Sequence, residues 1–164
     1  MPGSHSSSIA ILDDANTDIF VARNQKDIGE MNNFGVLATH RSRGDYNNDV
    51  VSLYGKYYFT KNDRIDIQYM ISDSNNPLDV ETDSELPANQ QDSAYTVRYR
   101  HRKEHYYLQT SYTDFGKDFR AAMGFVSQVD YTKLVAGGGY TWFGEKESKW
   151  TRCGVSGDWD VTKD

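Results

Sequence analysis

The chain has 164 residues, a net charge of −6, 37% hydrophobic residues and one cysteine, enough for one domain or a piece of a larger one. No apolar run approaches the ~18 residues of a membrane-spanning helix, which excludes a helical membrane protein but not a barrel, whose half-apolar strands leave hydropathy low. The negative charge argues against a nucleic-acid binder, and Cys153 alone makes neither an internal disulfide nor a zinc site.

Residues 1–8, Met1-Pro2-Gly3-Ser4-His5-Ser6-Ser7-Ser8, lack the apolar centre of a signal peptide. They are expected to be a leader or vector-derived segment ahead of a β-domain over 9–164. Ile9-Ala10-Ile11-Leu12 is a short apolar stretch. Asp14, Asn16 and Asp18 reproduce the first half of a calcium loop, but Ile19 stands where the loop's glycine belongs and Gln25 where its bidentate glutamate belongs. A solvated turn is the default there. Alternation then predicts strands over 19–23, 33–41 and 49–60, the last with Val51, Leu53, Tyr57 and Phe59 on one face.

The clearest run is 64–72, where Ile65, Ile67, Tyr69 and Ile71 fall on one side and Arg64, Asp66, Gln68 and Ser72 on the other. Period two with one apolar and one wet face is a strand. In the next run Tyr95, Val97, Tyr99 and His101 alternate with Thr96, Arg98, Arg100 and Arg102. Three arginines on one strand face cannot be a dry core. A sixth strand has Tyr106, Leu108, Thr110 and Tyr112 against Tyr107, Gln109 and Ser111. A seventh has Phe119, Ala121, Met123 and Phe125 against Arg120, Ala122 and Gly124. Leu134, Ala136, Tyr140 and Trp142, opposite Lys133 and Thr141, make an eighth, and 149–161, with Cys153, Val155, Trp159 and Val161 together, a ninth. The fold class is therefore all-β: an antiparallel up-and-down meander of eight or nine strands, the first of them the weakest, forming a β-barrel or part of a larger one.

Two arrangements accept such strands. In a soluble barrel the apolar face is the interior; in an outer-membrane barrel it meets lipid and the charged face lines the lumen. The connections favour the second. Tight turns at 61–63, 103–104 and 128–130 alternate with longer segments at 42–48, 73–92, 114–118 and 143–148, short on one rim and long on the other. Aromatics gather near strand ends, at Tyr57, Tyr58 and Phe59, at Tyr106 and Tyr107, and at Tyr140, Trp142 and Phe143. They resemble interfacial girdles, although Tyr and Trp also simply favour strands. An odd strand count, and a last strand ending Asp160-Val161-Thr162-Lys163-Asp164 without a terminal aromatic, predict a fragment of a longer protein whose export signal was lost with the rest.

Asp118-Phe119-Arg120-Ala121-Ala122-Met123-Gly124-Phe125-Val126-Ser127-Gln128-Val129-Asp130-Tyr131, preceded by Tyr112-Thr113-Asp114-Phe115-Gly116, resembles a pattern in a family of bacterial envelope proteins. That family joins an N-terminal carbohydrate-binding-like domain (family 9 type) to a C-terminal outer-membrane β-barrel domain of unknown function. Phe20-Val21-Ala22-Arg23 leading to Gly35-Val36-Leu37-Ala38-Thr39 looks like its earlier strand pair, so the resemblance spans most of 17–145. It implies a bacterial outer-membrane location and contact with outer-membrane lipid or detergent. The carbohydrate-binding-like domain is absent from this chain, so no sugar site carries over. Some members bear a membrane-associated hydrolase label, for which no residue here gives support.

Candidate sites follow from the two faces. The lumen charge row is Arg64, Asp66, Arg98, Arg100, Arg102, Arg120 and Lys133; such rows hold charge pairs across a small barrel or select anions in a large one. The lipid-facing set is Ile65, Ile67, Tyr69, Ile71, Val97, Tyr99, Leu108 and Phe125. The acidic 73–92 loop, with Asp79, Glu81, Asp83 and Glu85, is a candidate for divalent cations, though such runs are usually just solvated. His101 and His105 flank a tight turn and are read as turn residues before metal or acid–base residues. No Gly-x-Ser-x-Gly elbow occurs and no cofactor is expected. The leading reading is a non-catalytic envelope barrel segment with a structural or transport role. Its rivals are a soluble barrel binding a small apolar ligand and, last, an enzyme acting on envelope material.

Overall fold

A computed structural model describes residues 4–14, 16–76, 88–124, 126 and 128–164. Nine strands, β1 (His5–Asp14), β2 (Thr17–Ile28), β3 (Asn32–Arg43), β4 (Tyr46–Tyr58), β5 (Asp63–Asn75), β6 (Asn89–Arg102), β7 (Tyr106–Phe115), β8 (Tyr131–Phe143) and β9 (Arg152–Lys163), pair antiparallel in sequence order. The result is one all-β meander. It is an open sheet, not a closed barrel, with β1 and β9 as its edges and no contact between them among the described residues.

The nine strands are not the nine that alternation predicts. Residues 5–8, expected to be leader, belong to β1, which pairs with β2 from His5↔Lys26 to Asp14↔Thr17. Their serines have no apolar period; what recruits them is the backbone ladder of a long neighbour, helped by the bond from Asn24 Nδ2 to Ser7 Oγ (2.8 Å). Conversely, 119–124 is no strand. Gly116 N donates to Ser93 O (3.0 Å), and the described residues of 116–130 then fold over one face of the sheet as an irregular insert. Their backbone finds side-chain partners in place of a ladder. Phe125 lies outside the described residues, as does 77–87 with Asp79, Glu81, Asp83 and Glu85.

Removing that strand reassigns the rims. One rim carries the connections around residue 15, at 44–45, 76–88 and 116–130; the other carries 29–31, 59–62, 103–105 and 144–151. The two longest connections still share a rim. The 42–48 segment is corrected to strand with a two-residue turn, where Gly44 takes φ 59° between the paired Arg43 and Tyr46. That is the glycine-first pattern of a type II′ hairpin. The eight-residue 144–151 segment, expected among the long loops, sits on the rim of tight turns.

The β3–β4 pair is keyed by two glycines. Phe34↔Gly55 and Gly35↔Tyr54 are adjacent cross-strand pairs on opposite faces, so each ring lies over the glycine opposite it. A Cβ on Gly55 would sit 2.8 Å from Phe34 Cδ1, and one on Gly35 would fall inside the Tyr54 ring. Tyr54 is held there by Arg23, whose Nε donates to its hydroxyl (2.6 Å) and whose guanidinium lies 5.4 Å from the ring centroid. Gly35→Ala must swing that ring off the strand. It is expected to lower stability by about 1–3 kcal/mol, read as a shift in the urea midpoint; an unchanged midpoint would show that the ring is free to move.

Candidate functional site

Pair-by-pair register sorts every strand into two faces. Arg64↔Arg100, Asp66↔Arg98, Gln68↔Thr96 and Ser72↔Asp92 share one; Ile65↔Tyr99, Ile67↔Val97 and Tyr69↔Tyr95 share the other. The expected apolar set Ile65, Ile67, Tyr69, Ile71, Val97, Tyr99 and Leu108 falls together on the second face, and Arg64, Asp66, Arg98, Arg100, Arg102 and Lys133 on the first.

Burial runs opposite to that of a water-soluble sheet. On the polar face Asn48, Ser52, Ser72, Ser74 and Gln90 are buried, with Ser72 at 0% exposure. On the apolar face Ile67 is 51% and Leu108 54% exposed. The cause is the 116–130 insert, which packs on the polar side. Phe119 is wholly buried against Val50 and Ala94 and meets the Phe115 ring edge-on at 5.4 Å. Around it the insert's backbone is tied to the sheet: Arg120 N donates to Ser72 Oγ (3.0 Å), Ala122 N to Asn48 Oδ1 (2.8 Å) and Asp118 N to Asp92 Oδ2 (3.0 Å). Asn48 Nδ2 returns a bond to Arg120 O (3.1 Å) and another to Ser74 Oγ (2.7 Å). Arg120 is therefore corrected out of the charge row. Its guanidinium turns back on the insert, donating to Phe119 O (3.0 Å).

The remaining row divides into paired and unpaired halves. Arg64 donates to Asp66 Oδ2 through Nε (2.9 Å) and also lies 2.8 Å from it through Nη2, and Lys133 meets Asp160 at 3.0 Å. Arg98, Arg100 and Arg102 have no carboxylate partner among the described residues. Asp66 stands directly opposite Arg98 in register but is turned to Arg64. Two cavities open beside these side chains. One of about 490 Å³ is lined by residues including Arg23, Tyr54, Lys56, Asp66 and Arg98; one of about 200 Å³ by Arg98, Arg100, Gln109 and Ser111 among others.

The two histidines that flank the 103–105 turn face different partners. His101 Nδ1 lies 2.6 Å from Asp63 Oδ1, which also accepts from Tyr99 OH (2.7 Å), and its ring stacks on Tyr106. His105 Nδ1 bonds Thr141 O (3.1 Å), and its ring packs on Tyr140 and Phe143. With Trp142 against Tyr140 at 4.7 Å, this rim carries a continuous aromatic cluster. Asp14, Asn16 and Asp18 of the partial calcium loop lie at the β1–β2 turn, with Asp14 and Asp18 already inside the strands.

Sequence alternation does not show the outline of the apolar area. On β2 the apolar stretch centres on position 21, between Phe20 and Ala22, and Lys26 already stands beyond it. On β4 it runs from Val51 to Tyr57 and on β5 from Ile65 to Ile71. On β9 it centres on Gly157, between Val155 and Trp159. The row through Phe20 meets His40, Asp49 and Asp73, while the row through Val155, Tyr140 and Tyr106 runs into the 103–105 turn. Followed through the register from β2 to β9, the belt slips by nine residues over seven strand steps. At about 3.3 Å per residue and about 4.8 Å per strand, that is a slope of about 40° between the belt and a line drawn square across the strands.

No family model, no curated protein and no solved structure matches the chain.

Proposed function

We propose that this chain is a section of the wall of a bacterial outer-membrane β-barrel, with a structural or transport role and no catalytic one. Its apolar belt meets lipid, and its polar face lines a water-filled lumen. The observation that carries this reading is the slant of the belt. A bilayer presents a level band of hydrocarbon, and barrel strands cross it tilted by about 35–45°. A belt drawn by that band therefore drifts along the register from strand to strand, at the slope found here. A patch that docks on a protein partner has no reason to slant in this way across eight strands.

Three further features agree. Strands of 10 to 14 residues are long enough for the ~9–11 needed to span at that tilt. The two longest connections share a rim, and aromatic rings gather at the other. The backbone groups along the free sides of β1 and β9 must be paired in lipid, where each unsatisfied group costs several kcal/mol. Further strands therefore join the sheet at both edges. The resemblance of 112–131 to the envelope-barrel family points the same way.

The test is refolding of the full chain from urea into dodecyl maltoside micelles and, in parallel, into plain buffer. Strand signal by circular dichroism and heat-modifiable migration are expected only with detergent. A folded monomer in plain buffer would overturn the reading in favour of a soluble module.

A further inference from the structure

We infer that Arg98 and Arg100, with Gln109 and Ser111, form a binding station for a phosphate group on the polar face. The inference deepens the lumen reading above and rests on it for access from water. It begins from an unfavourable arrangement. Arg64 and Arg100 stand directly opposite each other, and Arg98 and Arg102 flank Arg100 on its own strand face. Like charges in directly opposed positions destabilise a sheet, so this cluster does not hold the strands together. The carboxylate directly opposite Arg98 on the adjacent strand, Asp66, is engaged by Arg64, and Asp158 and Asp160, in the same rows, stand three strands away on β9, Asp160 held by Lys133. Arg98 and Arg100 are left with their positive charge uncompensated, in a chain whose net charge is −6.

The space beside them suits an oxyanion. The cavity of about 200 Å³ is lined by Arg98, Arg100, Gln109, Thr110, Ser111 and Val135, with no acidic residue among them. Arg100↔Gln109 and Arg98↔Ser111 are cross-strand pairs on one face, so all four donors converge from two adjacent strands. Planar guanidinium forks bind phosphate oxygens two at a time, which ammonium groups do not. Arg98 also borders the larger cavity, where Arg23 directs its guanidinium at the neutral oxygens of Tyr54 (2.6 Å) and Gln25 (2.7 Å) and keeps its charge. Lys56 lines the same cavity, in the cross-strand row of Asp27 and Asp66. The station thus opens onto a larger basin with three cations and one carboxylate, Asp66, in its lining.

The test is calorimetric titration of the full chain, refolded in dodecyl maltoside, with inorganic phosphate against chloride at matched ionic strength. Saturable phosphate binding is expected, weakened about tenfold or more in Arg98→Gln/Arg100→Gln and less than about twofold in Arg102→Gln, which removes the same charge outside the cavity. Arg100→Lys keeps the charge and loses the fork; it is expected to bind several-fold more weakly and serves if the double variant does not fold. Absence of saturable binding, or equal losses in the Arg102 and cavity variants, would overturn the station. A chain that folds without detergent would remove the lumen but leave the same titration to be run in plain buffer, so the two readings fail separately.

Discussion

Val97→Arg is expected to block insertion of the refolded chain into lipid vesicles, whereas its neighbour Arg98→Ala inserts like the unmodified chain. Val97 sits in the middle of the apolar run on β6, between Tyr95 and Tyr99, where the belt crosses that strand, with Ile67 of β5 and Tyr112 of β7 directly opposite it. An arginine on the lipid face at the bilayer midplane costs about 2–4 kcal/mol, a factor of roughly 30 to 1,000 in the inserted population. Arg98, one residue on, points to the other face and has no carboxylate partner to lose among the described residues. Protease protection in vesicles, with heat-modifiable migration as the readout of folding, ranks the two. The opposite ranking would place Val97 outside lipid and make the apolar face a surface covered by protein. Ile67→Arg, directly opposite Val97, repeats the test on β5 and guards against an effect peculiar to β6.

What the sequence reveals depends on where each residue finds its partners. β5 and β6 are legible because both faces speak at once: Ile65, Ile67, Tyr69 and Ile71 against Arg64, Asp66 and Gln68 leave one register that keeps like with like. β1 is not legible, since His5-Ser6-Ser7-Ser8 gains its structure only from the ladder that β2 offers. The 116–130 insert misleads because Phe119, Ala121 and Met123 imitate a strand's alternation. Their true surroundings are supplied by Asn48, Ser72 and Asp92, from strands 26 to 74 residues away. A local signal for the insert does exist. Ser52, Ser72 and Ser74 on the polar face, with Ala94 beside them, make a patch of small side chains where larger ones would fill the space that Phe119 occupies. In the charge row, composition and spacing place Arg64, Arg98 and Arg100 on one face, but which of them is neutralised depends on a single rotamer choice of Asp66. The slant of the apolar belt is written in the sequence too, yet only the register turns eight separate alternations into one line.

The insert gives the largest expected effect on stability. Phe119→Ala is expected to cost about 3–5 kcal/mol in the attachment of 116–130 to the sheet, the range for emptying a fully buried aromatic site. Phe119 is 0% exposed and has Val50 and Ala94 against it from the sheet, with Met70, Phe115, Ala121, Val126 and Val129 around them. No other large apolar side chain among the described residues is fully buried. The strands themselves keep their ladders, so the loss is local. Trypsin, which cuts after Lys117 and Arg120, is expected to cleave the variant much faster while the strand signal in circular dichroism stays unchanged. Asn48→Ala serves as the comparison, because it removes the acceptor of Ala122 N and the donor to Arg120 O from the same attachment. Leaving those groups unpaired costs about 1–3 kcal/mol, and cleavage is expected to rise by less than in Phe119→Ala. If instead the asparagine variant were the more sensitive, the insert would be fastened by its backbone bonds, with Phe119 filling a space that the polar network had already defined. In the lumen reading the difference has a functional edge, since the insert stands on the water-facing side of the wall. Releasing it by Phe119→Ala widens the passage at that rim without touching Arg98 or Arg100 at the other end of the same face.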